Sequence, residues 1–238
     1  MERVPEKIII VNDLDQFPPP FCYRYRIEIQ LNKFVQVDFQ VEYYDREELN
    51  EDEIIAEGFS ENDDFVWKGK LPDLWKDSFL KITENLNEGV SRKNLKIELI
   101  IKDQKIQFYP GNFPKFEYFI QELIQAIYEA SGRQEKFSFQ LINQSDHQSK
   151  KLEFEFSFYE RSAKVNQKAL DWSESEQIMK DLFSLEFDSF NSSSKKPDKE
   201  GFYVSPGDGL WYKADNALKS PDKKSVVPIL EKIFKRYS

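Results

Sequence analysis

The strict alternation of apolar and polar residues over residues 23–44 most constrains what this chain can fold into. In the stretch YRYRIEIQLNKFVQVDFQVEYY, the apolar residues Ile27, Ile29 and Leu31 occupy every second position. After a short polar turn, the same spacing resumes at Val35, Val37, Phe39 and Val41. Successive side chains of a β-strand point to opposite faces, so this pattern predicts a half-buried antiparallel hairpin.

Pairs of apolar runs separated by polar turns recur along the chain. They predict further hairpins at residues 54–69, 95–109, 136–160 and 201–215. Apolar residues at helical spacing predict helices at residues 72–87, 114–130 and 173–187 and from Pro228 to the end of the chain. The fold class is therefore predicted to be α+β, with antiparallel β-hairpins alternating with helices packed on one face of the sheet.

Two ten-residue stretches resemble each other without a gap. VWKGKLPDLW at residues 66–75 and FYPGNFPKFE at residues 108–117 share a glycine and a proline at equivalent positions. Each stretch lies where a predicted strand leads into a predicted helix, and proline sits well in a first helical turn. Two explanations remain open: tandem ββα repeats of common ancestry, or convergence on residues that favour helix initiation.

The predicted elements divide the chain into two regions. Residues 1–90 form an N-terminal ββ(ββ)α unit that contains an acidic stretch, and residues 91–238 form a ββα-ββα-ββα region. Residues 189–201 are small, polar and charged, which predicts a flexible loop. The two regions could also form one continuous domain.

The negative charge of the chain is concentrated in one stretch, residues 42–64, which we call the acidic segment. It contains eleven acidic residues and a single basic residue, Arg46, and so has a formal charge of −10. The formal net charge of the whole chain is −9. The rest of the chain is therefore close to neutral. A charge run of this kind is typical of a solvated surface, but it also fits a docking surface for a basic partner.

Aromatic residues alternate with these acids, and desolvated rings surrounded by charge are typical of protein-binding surfaces. We therefore predict a binding surface formed by Tyr43, Tyr44, Glu47, Glu48, Glu51, Asp52, Glu53, Phe59, Asp63, Asp64 and Trp67. The predicted function is a non-enzymatic protein-interaction module, either an adaptor or an inhibitor-like protein. Its partner is expected to be a basic protein of unknown identity.

Composition argues against several other classes of protein. The chain has no basic footprint for direct nucleic-acid binding and no apolar run long enough to cross a membrane. Cys22 is the only cysteine, which excludes an intramolecular disulfide and fits a cytoplasmic setting. His147 is the only histidine and lies in a polar turn. We expect no catalytic residues, no metal and no cofactor.

An apolar run at residues 8–11 leads into the acids Asp13 and Asp15. This arrangement resembles the start of the haloacid dehalogenase superfamily of phosphatases. The resemblance implies that Asp13 attacks phosphorus, that Asp15 acts as acid and base, and that both help hold Mg²⁺. Asp208, which lies between two glycines, resembles a later metal carboxylate of that family. The first alternative function is therefore a Mg-dependent phosphohydrolase.

The rest of the sequence departs from that family. Its fold requires a parallel sheet buried on both faces, whose strands are continuous apolar runs, whereas most strands predicted here alternate. Three prolines, residues 18–20, follow where the family has a glycine and then a threonine or valine. A strand end at Asp13 and a hairpin turn at Asp208 explain the same residues.

A third hypothesis is an apolar ligand-binding module. Phenylalanine-rich faces of the hairpin predicted at residues 136–160 could line an apolar pocket. Packing in a hydrophobic core explains these faces equally well.

Overall fold

The computed structural model of the chain describes residues 5–89, 94–145, 148–220 and 224–238; His147 lies outside the described residues. The chain forms two compact units, residues 1–134 and residues 135–238.

The first unit is built on a seven-stranded antiparallel sheet. Its strands are β1 (Lys7–Asp13), β2 (Tyr23–Leu31), β3 (Val35–Tyr43), β4 (Phe65–Leu71), β5 (Leu86–Glu88), β6 (Leu95–Ile101) and β7 (Gln104–Pro110). Its α-helices are α1 (Glu51–Ala56), α2 (Leu74–Thr83) and α3 (Phe113–Ser131). The strand order is β4-β3-β2-β1-β6-β7-β5. The sequence-based division at residue 90 falls between β5 and β6, which belong to this one sheet.

The alternating hairpin predicted at residues 23–44 is confirmed as β2 and β3. Ile27 lies opposite Phe39 and Ile29 lies opposite Val37. All four side chains are at most 1 % exposed. The polar residues between them point to the other face, so the period of two in the sequence places one face of the sheet in the core.

Helices α2 and α3 cover this face with aromatic side chains. The rings of Trp75 and Phe79 in α2 lie 6.0 and 5.4 Å from the ring of Phe119 in α3. Tyr128 of α3 contacts the ring of Phe39 in β3 at 6.2 Å. Helix α3 ends at Gly132, whose φ of 74° is the left-handed conformation that glycine adopts without strain.

The two similar stretches do lie at strand-to-helix junctions. The first runs from β4 into α2, and the second runs from β7 into α3. The prolines differ in detail, because Pro72 precedes α2 whereas Pro114 lies in the first turn of α3. The junctions are confirmed, and common ancestry of the repeats stays a prediction.

One predicted hairpin is wrong. Residues 54–59 do not form a strand beside β4, because residues 51–56 form the short helix α1. Asn50 and Glu53 explain this outcome, since each side chain accepts a hydrogen bond from the other residue's backbone N–H. This reciprocal arrangement is a capping box, which favours helix initiation. Strand β4 pairs with β3 instead.

The second unit contains a six-stranded antiparallel sheet and a small two-stranded one. Its strands are β8 (Phe137–Gln144), β9 (Ser149–Ser157), β10 (Ser162–Val165), β11 (Lys168–Leu170), β12 (Glu186–Phe187), β13 (Gly201–Ser205), β14 (Tyr212–Lys213) and β15 (Leu218–Lys219). Its α-helices are α4 (Trp172–Phe183) and α5 (Val227–Tyr237). The larger sheet has the order β11-β10-β9-β8-β13-β14.

Both helices of the second unit contact the phenylalanine-rich face of its larger sheet. Phe183 of α4 stacks on Phe137 at 4.5 Å, and Tyr237 of α5 meets Phe154 at 5.9 Å. Phe139 and Phe154 are 2 % and 1 % exposed. The helices therefore pack onto this face, and its rings form the core of the unit.

The structure confirms the predicted α+β class. Strands alternate with helices along the chain, and every pairing between described strands is antiparallel. None of the described helices combines the length and apolar character needed to cross a bilayer.

The aromatic layer between α2 and α3 yields a test of the core. Phe79 is 0 % exposed, so Phe79→Ala should leave a cavity and lower the free energy of unfolding by about 3–5 kcal/mol. Phe34→Ala serves as the control, because Phe34 is 47 % exposed at the β2–β3 turn, and should cost less than about 1 kcal/mol. Urea unfolding followed by circular dichroism measures both, and similar losses in the two variants would contradict this packing.

Candidate functional site

Most of the acidic segment lies in the connection between β3 and β4, residues 44–64, which we call the β3–β4 loop. The loop leaves β3 in a 3₁₀ turn, Arg46–Glu48, continues into α1 and returns to β4. Its base is closed by the backbone N–H of Tyr43, which donates to the Asp64 carboxylate at 2.8 Å. Asp64 therefore stabilises the base of the loop.

Arg46, the only basic residue of the acidic segment, lies inside the loop and is 7 % exposed. Its guanidinium carbon lies 4.0 Å from the ring centroid of Tyr43 and 4.8 Å from that of Phe59. Its Nη1 donates to the Asp63 carboxylate at 2.6 Å and to the carbonyl oxygen of Ser60. Nε and Nη2 are buried without a hydrogen-bond partner among the described residues. The two ring faces and one carboxylate therefore hold this buried cation.

Asp63 accepts hydrogen bonds from several donors at once. Besides Arg46, it accepts from the backbone N–H of Ser60 at 2.9 Å and from the Ser60 hydroxyl at 2.7 Å. Arg133, which follows α3, lies 3.7 Å from the same carboxylate. Desolvation is the largest single influence and raises the pKa of Asp63. The hydrogen bonds from Ser60 and Arg46 together with the Arg46 charge outweigh it, so the net pKa is lowered.

Two of the predicted aromatic anchors, Tyr43 and Phe59, form a ring cluster beside Arg46 together with Phe21 and Tyr23. The ring of Phe59 lies 5.9 Å from Tyr43 and 5.5 Å from Phe21, and Tyr43 lies 5.3 Å from Tyr23. Burial is the main reason that the pKa of Tyr43 rises to about 12. Tyr43 and Phe59 therefore support the loop from within, whereas Phe21 keeps 42 % of its surface exposed.

Four predicted carboxylates have a different environment. Glu47, Glu48, Glu51 and Asp52 are exposed, and none has an ion-pair or side-chain hydrogen-bond partner within the described ranges. Ile55, one helical turn from Glu51, exposes 55 % of its surface beside them. These four acids and Ile55 form the outward side of the loop, which we call the outer acidic face.

The loop also encloses a cleft of about 420 Å³. Carboxylates on both limbs of the loop line it: Glu47 and Glu51 on the outgoing limb, and Glu61 and Asp64 on the returning one. Leu49 and Ile54 add apolar surface, and Tyr43, Arg46 and Asn62 complete the lining. The cleft thus combines negative charge with an apolar wall.

The remaining predicted site residues have local roles or lie elsewhere. Glu53 caps α1 through the backbone N–H of Asn50. Tyr44 is half-buried at the start of the loop. Trp67 lies within β4, and its ring covers Gly69, where a Cβ would lie only 2.2 Å from the indole. The structure therefore brings four predicted residues, Tyr43, Glu47, Glu51 and Asp64, together at the cleft and leaves Trp67 outside its lining.

The sequence did not predict a functional role for Arg46, Leu49, Ile54 or Ile55. A signal existed for Arg46, because a single cation among eleven acids has many possible partners. Ile54 and Ile55 were predicted to lie in a strand paired with β4. Their actual neighbours, the cleft for Ile54 and the outer acidic face for Ile55, depend on helix α1 and could not be inferred from that strand.

Two of the residues that suggested phosphoryl transfer, Asp208 and Asp13, lie at a turn and at the end of a strand. Asp208 accepts from the Leu210 N–H at 2.9 Å and from the Tyr212 hydroxyl at 2.6 Å, as expected for a residue that stabilises the β13–β14 turn. Asp13 ends β1 opposite Arg24 of β2. The antiparallel sheets do not supply the parallel framework of that family.

Cys22 has no features of an activated nucleophile. It is 2 % exposed, and its Sγ lies 3.8 Å from the Asp45 carboxylate. Burial and then the charge of Asp45 raise the pKa of the thiol, which disfavours the reactive thiolate.

Metal ions and known relatives give no further assignment. Within the described residues, no group of three or more His, Cys, Asp or Glu side chains could hold a metal ion. No family model, curated protein or solved structure matches the chain.

The lowered pKa of Asp63 predicts a specific dependence of stability on acid. Its contribution is fully present above its ordinary pKa of 3.8 and is lost as pH falls toward the lowered pKa of the folded state. Between about pH 5 and pH 2, wild-type protein should therefore lose more unfolding free energy than Asp63→Asn. Urea unfolding at a series of pH values measures this.

Glu61→Gln is the control, since Glu61 is exposed on the same limb of the loop. This variant should keep the wild-type dependence on pH. An unchanged slope in Asp63→Asn would show that the Asp63 carboxylate does not stabilise the folded state.

Proposed function

We propose that the protein is a non-enzymatic protein-interaction module, an adaptor or inhibitor-like protein, that binds a basic segment of a partner through the β3–β4 loop. The observation that supports this function is the set of unpaired carboxylates on the outer acidic face, Glu47, Glu48, Glu51 and Asp52. Two other acids of the same loop, Asp63 and Glu53, have hydrogen-bond partners that stabilise its fold.

Charge complementarity defines the kind of partner. Unpaired acids in one loop attract a cationic surface at long range and accelerate its association in low salt. Lysine or arginine side chains could pair with Glu47 or Glu51 at the cleft, and their aliphatic stems could pack on Leu49 and Ile54. The cleft therefore suits a basic peptide segment.

Apolar contact area adjacent to the acids supports the same proposal. Ile55 and Phe21 are exposed by 55 % and 42 %, and each lies next to the ring cluster or to the outer acidic face. Exposed apolar side chains surrounded by charge supply desolvated contacts in protein interfaces. Ile55 and Phe21 therefore provide the exposed apolar contacts that the sequence analysis predicted for Tyr43 and Phe59.

The proposed setting is the cytoplasm, which the single free thiol of Cys22 supports, since disulfides predominate in oxidising compartments. A phosphohydrolase or an apolar ligand-binding module finds no comparable support. The acids of the first hypothesis lie at a strand end and a turn, and the phenylalanine faces of the second are packed against helices.

The test removes charge from the outer acidic face without changing side-chain shape. The variant carries Glu47→Gln, Glu48→Gln, Glu51→Gln and Asp52→Asn. Tagged wild-type protein captures partners from the source cell at low salt, and calorimetry then measures the affinity of each purified partner. We expect at least about a tenfold weaker affinity for the variant, because several exposed ion pairs at up to about 1 kcal/mol each would be lost.

A matched variant controls for net charge. Asp73→Asn, Asp77→Asn, Glu84→Gln and Asp103→Asn remove the same charge from exposed positions of the first unit outside the β3–β4 loop. This control should bind like wild type. Equal affinity of the outer-face variant and wild type, or an equal loss in the control, would refute the proposed surface.

A further inference from the structure

The β3–β4 loop is not required for the pairing of the strands it connects. Val41 of β3 lies directly opposite Phe65 of β4, and adjacent antiparallel strands can be joined by a turn of about two residues. Residues 44–64 are therefore much longer than the connection between these strands requires, and they lie outside the hydrogen-bond ladder of the sheet.

Few buried side chains hold this loop in place. Across residues 44–64, all of which the structure describes, only Arg46 and Ile54 are buried. Segments with few buried contacts open locally at a lower free energy than the core strands beside them. Arg46 therefore supplies a large part of the buried contacts that keep the loop ordered.

Arg46 joins the two limbs of the loop to each other. It lies at the start of the outgoing limb, and it donates to Ser60 and Asp63 on the returning limb. Arg133, outside the loop, holds the same Asp63 through its carboxylate and its carbonyl oxygen. Loss of this arrangement would remove the Arg46 contact between the two limbs and leave only the base of the loop closed by Tyr43 and Asp64.

We propose that the β3–β4 loop opens and closes on the first unit as one cooperative segment, with the Arg46–Asp63 contact as its lock. In the closed state the cleft exists and the ring cluster encloses the guanidinium. In the open state the sheet persists, but the cleft is absent and the ring cluster no longer encloses the guanidinium. This device is a property of the segment itself and holds whichever partner binds the loop.

Hydrogen exchange followed by mass spectrometry tests the lock. Arg46→Met removes the cation but keeps an apolar stem between the rings, and Asp63→Asn removes the negative charge from the other side. Each variant should raise amide exchange across residues 45–62 by about tenfold or more, because a buried charge-assisted hydrogen bond is lost. Peptides from β2, β3 and β6 should exchange as in wild type.

Lys81→Met and Glu61→Gln are the controls for the two variants. Both residues are exposed, and neither has a side-chain partner among the described residues. In both control variants, the backbone amides of the β3–β4 loop should exchange at the wild-type rate. Three outcomes would overturn the proposal: no faster exchange in residues 45–62 of either variant, equally faster exchange in the sheet strands, or failure of both variants to fold.

Discussion

The first unit depends on the pairing of one short central strand, β1, with partners on both of its edges. Ile8 and Ile10 lie opposite Ile29 and Ile27 of β2, and opposite Leu99 and Ile97 of β6. All six side chains are at most 3 % exposed. Because β1 joins two hairpins that are far apart in sequence, it makes a single hydrophobic face for α2 and α3 to cover.

That framework leaves the β3–β4 loop free to serve other purposes. Two strands already fixed by the sheet deliver the ends of the loop to adjacent positions, so its sequence need not contribute to the main core. Acidic residues can then accumulate there, provided that something compensates their mutual repulsion. Arg46 offsets part of this repulsion from inside the loop, where it pairs with Asp63, although its Nε and Nη2 are buried without a hydrogen-bond partner among the described residues.

Local sequence predicted most of the secondary structure, because alternation and helix-terminal residues act over a few positions. The hairpins at residues 23–44 and 95–109 and the end of α3 at Gly132 follow from such signals. The prediction was wrong at residues 54–59, where a short apolar run fits either a strand or a helix. The capping box of Asn50 and Glu53 and the pairing of β4 with β3 decided that segment.

The sequence by itself determined that negative charge is concentrated in one segment, that the strands are half-buried, and that the fold is α+β. Only the tertiary structure decided which acids serve the fold and which stay unpaired. Asp63 and Glu47 are equivalent in the sequence, yet one is held by Arg46 and the other faces solvent. The physical reason is that a carboxylate's partner comes from distant residues brought together by folding, which no local pattern encodes.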